Sequence, residues 1–157
     1  TKTLHGLYTC KWWYYPGSAK SLEELKEQYI EVIHACAKEN NIEVEDFKKL
    51  KHGPLTTENE KCFFACSYKK TGMMDENGMM AVDNIKKIGS EIFQDDEERM
   101  KKLDMYINQC LPVNDAPVSD GAKGCERAAL MNQCNEKAHK DGMVNRIKFL
   151  LHNSQRN

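Results

Sequence analysis

Residues 62–66 read Cys-Phe-Phe-Ala-Cys, and this short stretch decides the fold. Two cysteines four residues apart lie one turn apart on the same face of an α-helix. Such a helix can be cross-linked to two neighbouring elements at once. The other cysteines of the chain lie at positions 10, 36, 110, 125 and 134. We therefore expect the cysteines to organise the rest of the molecule.

The composition narrows the class of protein. The 157 residues suffice for a single domain with a modest core. Lys plus Arg (23) nearly balance Asp plus Glu (24), so no overall charge favours nucleic acid. No apolar run approaches the roughly 18 residues that span a bilayer, which argues against membrane insertion. Seven cysteines are typical of a secreted, disulfide-linked protein, and the lack of a signal-peptide pattern fits a mature extracellular chain.

Residues 18–140 are predicted to form an all-α core of six short helices. Ser21 and Glu24 have the spacing of a capping box at the start of the first helix. Cys36 continues the apolar stripe of that helix, so it lies on the buried face. The second helix is shorter and is expected over residues 44–50. Helix-stop signals separate these elements from one another.

The third helix carries the cysteine pair of residues 62–66. A second capping box at residues 57–60 marks its start, and Gly72 marks its end. Residues 73–80 then place pairs of methionines on both sides of an acidic turn at residues 75–78. We expect this turn to lead directly into the next helix.

Three further helices complete the predicted core. The fourth covers about residues 81–88 and is expected to end at Gly89. Two aspartates at residues 95–96 place negative charge at the start of the fifth helix, where the helix dipole favours it. Residues 112–124 are rich in Pro, Asp, Ser and Gly and are predicted to form a loop before the sixth helix.

The two ends of the chain differ from this core. Residues 1–17 form an arm that contains both tryptophans and three tyrosines around Cys10. The arm either packs on the body or forms a ligand cover or a self-association surface. Cys10 is therefore expected either to link a homodimer or to remain a buried free thiol. Residues 143–157 carry an amphipathic stripe that predicts a further helix docked on the body.

Three roles for the cysteines compete. Zinc sites usually combine two close pairs of ligands, and here no second pair lies near Cys62 and Cys66. A catalytic thiol requires a neighbouring base, and no nucleophile, base and orienting group stand out together. We therefore expect no metal, no cofactor and no enzymatic activity. Disulfides remain, although the spacing of six cysteines leaves 15 pairings open.

The spacing of six cysteines resembles that of the insect odorant-binding proteins. The numbers of intervening residues from Cys36 onward are 25, 3, 43, 14 and 8, of which the gaps of three and eight are the most diagnostic. The resemblance covers residues 18–140 and the helix count. It implies three interlocked bridges, which join Cys36 to Cys66, Cys62 to Cys125 and Cys110 to Cys134. Each should contribute about 2–4 kcal/mol to the free energy of unfolding. Cys10 and its long arm depart from the family pattern.

The resemblance also implies a function. We expect a secreted carrier that binds an odorant, a pheromone or a fatty-acid-like molecule in an apolar cavity inside the bundle. Tyr29, Tyr68 and Tyr106 are candidates for polar specificity, and the alternative for each is a hydrogen bond at the rim of the cavity. The docked C-terminal segment is expected to compete with the ligand for the same apolar surface, so that ligand affinity depends on release of the segment. The predicted ligand-binding residues are Tyr29, Phe64, Met73, Met74, Met80, Ile85, Ile88, Met131, Phe149 and Leu150.

Two other functions remain open at this point. The same fold could serve as a salivary-type scavenger of amines or lipids, or as a binder of host proteins. A disulfide-rich helical lipid hydrolase is the rival from another class. It would need a calcium loop, and residues 75–78 are too short for the 12-residue calcium pattern.

Overall fold

The computed structural model describes residues 22–43, 45–46, 50, 53–93 and 95–143. Several predictions fall outside these residues. They concern the aromatic arm with Cys10, most of the second helix, and the C-terminal segment from residue 144 onward.

Five α-helices form the described part of the molecule, which confirms the predicted all-α class. Within the described ranges, β structure is limited to an isolated bridge between Met74 and Met80. The sixth predicted helix, at residues 44–50, lies mostly outside those ranges, although Leu50 donates its backbone N–H to Asp46 O at 3.0 Å. The helices are α1 (Leu22–Glu39), α2 (Glu58–Thr71), α3 (Val82–Phe93), α4 (Glu97–Cys110) and α5 (Cys125–Lys140), with short 3₁₀ helices at Leu111–Asn114 and Gly121–Lys123.

Local sequence signals set the ends of α2 as predicted. The Thr57 hydroxyl accepts a hydrogen bond from the Glu60 backbone N–H at 3.2 Å, and the Glu60 carboxylate accepts from the Thr57 N–H at 3.2 Å. This capping box satisfies amide groups that the first helical turn leaves unpaired. Gly72 ends the helix with a φ of +77°, a conformation that glycine adopts without steric cost.

The predicted end of the fourth helix at Gly89 is wrong. Helix α3 continues through this residue to Phe93, and Gly89 is buried. A Cβ atom at Gly89 would lie 2.1 Å from Leu103 Cδ2 of α4. The glycine therefore serves the close packing of two helices rather than the termination of one.

Three disulfides join four of the five helices. Cys36–Cys66 links α1 to α2, Cys62–Cys125 links α2 to α5, and Cys110–Cys134 links α4 to α5, with Cα–Cα distances of 5.7, 4.5 and 5.8 Å. These are the pairs that the family resemblance implied. Helix α2 is cross-linked on two sides and packs most extensively against α5. Helix α3 carries no cysteine and is held by packing and by the bond from Asn84 Nδ2 to Gly72 O at 2.7 Å.

Two turns interlock beside this framework. The Asp75 carboxylate accepts hydrogen bonds from the backbone N–H groups of Asn77 and Met79 at 2.9 and 3.0 Å, which closes the turn at residues 75–78. Gly78 in this turn and Gly124 before α5 both have a φ of +75°. A Cβ atom at Gly78 would lie 3.1 Å from Gly124 Cα, so the two backbones touch.

We predict that Gly78→Ala and Gly124→Ala each destabilise the protein by more than Gly121→Ala. All three residues have positive φ, which costs an alanine about 1–2 kcal/mol. Only at residues 78 and 124 would the added Cβ also collide, with Gly121 O at 2.9 Å and with Met74 Sδ at 2.8 Å respectively. Nothing lies within 4 Å at Gly121. Urea unfolding measures the three differences, and equal losses would contradict the contact between the turns.

Candidate ligand-binding site

Four helices meet at a small polar cluster inside the bundle. The cluster consists of Tyr29 from α1, Tyr68 from α2, Tyr106 from α4 and Asn135 from α5. Tyr68 and Tyr106 are 8% and 4% exposed, and Tyr29 and Asn135 are partly buried. Tyr29, Tyr68 and Tyr106 are the three tyrosines of the chain that lie outside the aromatic arm at residues 1–17. We call the linked set of Tyr68, Tyr106 and Asn135 the polar triad.

Two hydrogen bonds link the polar triad in series, from Tyr106 to Asn135 and from Asn135 to Tyr68. The Tyr106 hydroxyl donates to Asn135 Oδ1 at 2.6 Å. Asn135 Nδ2 in turn donates to the Tyr68 hydroxyl oxygen at 3.0 Å. One amide side chain thus joins α2, α4 and α5 through groups that are removed from bulk water.

Burial changes the acidity of these tyrosines. It raises the pKa of Tyr29 to about 12 and also raises the pKa of Tyr106. Burial likewise holds the pKa of Tyr68 well above its ordinary value, and neighbouring Tyr106 and Tyr29 add to this effect. The hydrogen bond with Asn135 opposes it. All three phenols are therefore neutral at physiological pH.

The disulfides hold the polar triad in place. Tyr106 lies one helical turn before Cys110, and Asn135 directly follows Cys134. Because Cys110 and Cys134 are bonded to each other, α4 and α5 are fixed close to the hydrogen bond that joins them. Tyr68 lies two residues after Cys66, whose bridge fixes α2 to α1.

Apolar side chains surround the polar triad. The Phe64 ring lies one turn before Tyr68 on α2, with the two ring centroids 5.9 Å apart. Phe63 meets Phe64 edge to face, with the ring centroids 5.3 Å apart. Both rings of the Cys-Phe-Phe-Ala-Cys stretch are buried. The sequence had left open which of them faces inward. The resulting interior is apolar with a few polar groups. The pockets at Glu58 and Lys69 and at residues 75–84 include neither Phe64 nor the polar triad, so the cavity predicted inside the bundle stays a prediction.

The structure brings most of the predicted ligand-binding residues into or against one core. Phe64, Met74, Met80, Ile85 and Met131 are each at most 8% exposed. Tyr29 and Met73 are partly buried and pack against that core, and Ile88 is partly buried on α3. Phe149 and Leu150 lie outside the described residues. The role of all ten residues in ligand binding stays a prediction.

Comparison with known proteins places this arrangement in a family. Residues 18–138 match the family model described as PBP/GOBP family. The chain belongs to this family. The match confirms the resemblance to the insect odorant-binding proteins.

A solved structure has a similar fold. The odorant-binding protein dmelOBP28a from Drosophila melanogaster has a TM-score of 0.57 and 22% sequence identity, over 78% of this chain and 98% of that chain. At this identity the similarity concerns the fold alone. No curated protein sequence matches the chain significantly.

Asn135 is a member of the cluster in this PBP/GOBP domain that was not predicted from the sequence. It occupies the inner stripe of α5 together with the buried residues Ala128, Met131 and Ala138. A polar side chain at helical spacing within an apolar stripe was the available signal. Its partners could not be read from the sequence, since they lie 67 and 29 residues away along the chain.

A surface groove of about 400 Å³ lies over two of the disulfides and has a different character. Its walls include the charged side chains of Glu39, Glu58, Lys69 and Lys123. Glu58 also lies close to the sulfurs of Cys62 and Cys125, a grouping of potential metal ligands. Both sulfurs are bonded to each other, however, and a disulfide offers no thiolate to a metal. The groove gathers none of the predicted ligand-binding residues.

We predict that the protein loses stability as the pH rises through the alkaline range. A tyrosine whose pKa is raised by folding contributes stability that is complete below its unfolded value of 10.0. That stability falls as the unfolded chain loses its proton, between pH 10.0 and about 12 for Tyr29. Urea unfolding from about pH 9 to about pH 11 measures the slope.

Phenylalanine variants provide the control for this experiment. Tyr68→Phe should reduce the alkaline slope of the free energy of unfolding, because it removes one buried titrating group. An unchanged slope in Tyr68→Phe and Tyr106→Phe would contradict the buried placement of the two phenols.

Proposed function

We propose that this protein is a secreted, non-enzymatic carrier that binds and solubilises a small hydrophobic ligand such as an odorant, a pheromone or a fatty-acid-like molecule. The observation that carries the proposal is the PBP/GOBP match over residues 18–138. The cross-linked helical bundle with an apolar interior supports it.

The proposed ligand lies where α1, α2, α4 and α5 converge, against Phe64 and the polar triad. Disulfides replace part of the stability that a fully packed core supplies, so such an interior tolerates rearrangement. Met74, Met80 and Met131 belong to the same core, and their flexible thioether side chains adapt to irregular shapes. These properties suit a guest that enters by displacing side chains.

Two further features of the carrier stay predictions. A C-terminal segment with Phe149 and Leu150 would compete with the ligand for apolar surface, and Cys10 would either link a homodimer or remain a buried free thiol. Both lie outside the described part of the chain. Among the described helices, none has the length and apolar composition needed to cross a bilayer.

We predict that a fluorescent hydrophobic probe such as N-phenylnaphthylamine binds one site per chain. Long-chain esters, ketones and fatty acids should displace it, since burial of each methylene contributes about 0.8 kcal/mol to binding. Affinity should therefore rise with chain length until the interior is filled. Titration of probe fluorescence measures this trend.

The same titration tests the scavenger and protein-binding alternatives, and an esterase assay with and without calcium tests the lipid hydrolase. Displacement by biogenic amines but by no apolar compound would favour an amine scavenger and contradict the proposal. A chain that binds neither the probe nor any apolar compound would favour a protein-binding module. Ester hydrolysis that depends on calcium would favour the lipid hydrolase.

A further inference from the structure

The polar triad contains more donor hydrogens than its two internal hydrogen bonds use. Two phenols and one primary amide supply two hydroxyl hydrogens and two amide hydrogens. The Tyr106 hydroxyl and one amide hydrogen are used in the bonds to Asn135 and Tyr68. The Tyr68 hydroxyl hydrogen and the second Asn135 amide hydrogen remain.

Neither remaining hydrogen has an acceptor among the residues that the structure describes. Tyr29 lies close enough to raise the pKa of Tyr68, yet no hydrogen bond joins the two phenols. Exchanging the positions of the oxygen and nitrogen in the Asn135 amide leaves the number of unused donor hydrogens unchanged. Tyr68 would then donate to the amide oxygen, and the Tyr106 hydroxyl would be the group left over.

The surplus matters most at the two tyrosines, because they are shielded from water. Tyr68 is 8% exposed and Tyr106 is 4% exposed. A buried donor without an acceptor costs free energy comparable to a lost hydrogen bond. An acceptor that arrives with the ligand would recover that cost, whereas a purely hydrocarbon ligand would not.

The surroundings also indicate the charge of that acceptor. Among the described residues, two cations are buried, and both are engaged elsewhere. The Arg127 guanidinium donates to the backbone oxygens of Val113 and Ala116, each at 3.1 Å. Lys26 pairs with the Glu23 carboxylate at 2.8 Å. Within the described part of the chain, a carboxylate at the polar triad would therefore find no buried cation that is not already paired, and its burial would be costly.

From these observations we infer that the ligand carries a neutral hydrogen-bond acceptor, such as a ketone, aldehyde or ester carbonyl, which accepts from the polar triad while its hydrocarbon part lies against Phe64 and the surrounding core. This inference rests on the proposed function, because it names the ligand class of the same site. Tyr68 is the donor, and Tyr106 and Asn135 position it.

The test compares a long-chain methyl ketone with the alkane and the carboxylate of equal carbon number, each displacing N-phenylnaphthylamine. We expect the ketone to bind roughly three- to tenfold more tightly than the alkane, the range of one net hydrogen bond. The carboxylate at neutral pH should bind more weakly than the ketone. In Tyr68→Phe the ketone should fall to the affinity of the alkane or below it, because its carbonyl is then buried without this donor, whereas the affinity of the alkane should not change.

Ser67→Ala is the matched control. It removes a buried hydroxyl from the same helix, one that already donates to Phe63 O at 2.9 Å. The preference for the ketone should persist in this variant. Should Tyr68→Phe fail to fold, the comparison of ketone, alkane and carboxylate in the wild type remains the test.

A spectroscopic measurement is independent of stability. The carbonyl stretch of an isotope-labelled ketone should shift to lower frequency on binding, and the shift should disappear in Tyr68→Phe. Equal affinities for ketone and alkane in the wild type, or equal losses for both in Tyr68→Phe, would overturn the inference while the carrier function stood. Failure of the wild type to bind any apolar compound would overturn both.

Discussion

The double cross-linking of α2 is the constraint on which the rest of the structure depends. Two half-cystines one turn apart on this helix bind it to α1 through Cys66 and to α5 through Cys62. A third bridge extends the connection from α5 to α4. The bridges close segments of 30, 63 and 24 residues, so they remove much of the freedom of the unfolded chain. A helical domain of this size therefore need not obtain all of its stability from a densely packed core.

The three disulfides add enough stability for the fold to tolerate a buried polar cluster. They also keep the helices that carry the cluster aligned with one another. The hydrogen bonds of Asn135 to Tyr68 and Tyr106 lie next to half-cystines on each of the helices they join. In a bundle held by packing alone, a small rotation of one helix would break such bonds and leave buried groups without partners. Here the covalent links restrict that rotation. The interior thereby combines apolar walls with a polar feature at a fixed position, which is the combination that a selective carrier needs.

The elements without cysteines are held by a different kind of contact. Helix α3 approaches α4 closely at Gly89, and the turn at residues 75–78 touches the backbone before α5 at Gly124. The Asn114 side chain binds both backbone groups of Met80, at 2.7 and 3.1 Å, and so attaches the end of that turn to the loop after α4. Close packing at glycines and the hydrogen bonds of one amide side chain thus hold the turn at residues 75–78 and its flanking residues in place, whereas disulfides hold the helices.

Features that depend on near neighbours in the chain could be predicted from the sequence. The cysteine spacing indicated the family, the capping box at Thr57 and the glycine at residue 72 set the ends of α2, and the aspartates at residues 95–96 preceded α4. Gly89 was misread because its effect comes from Leu103 on another helix rather than from its own. Tertiary structure alone decided that three tyrosines from separate helices meet, and that Asn135 links two of them. Helical periodicity assigns a residue to a buried face, but the identity of its partner depends on how the helices pack, and no local pattern contains that information.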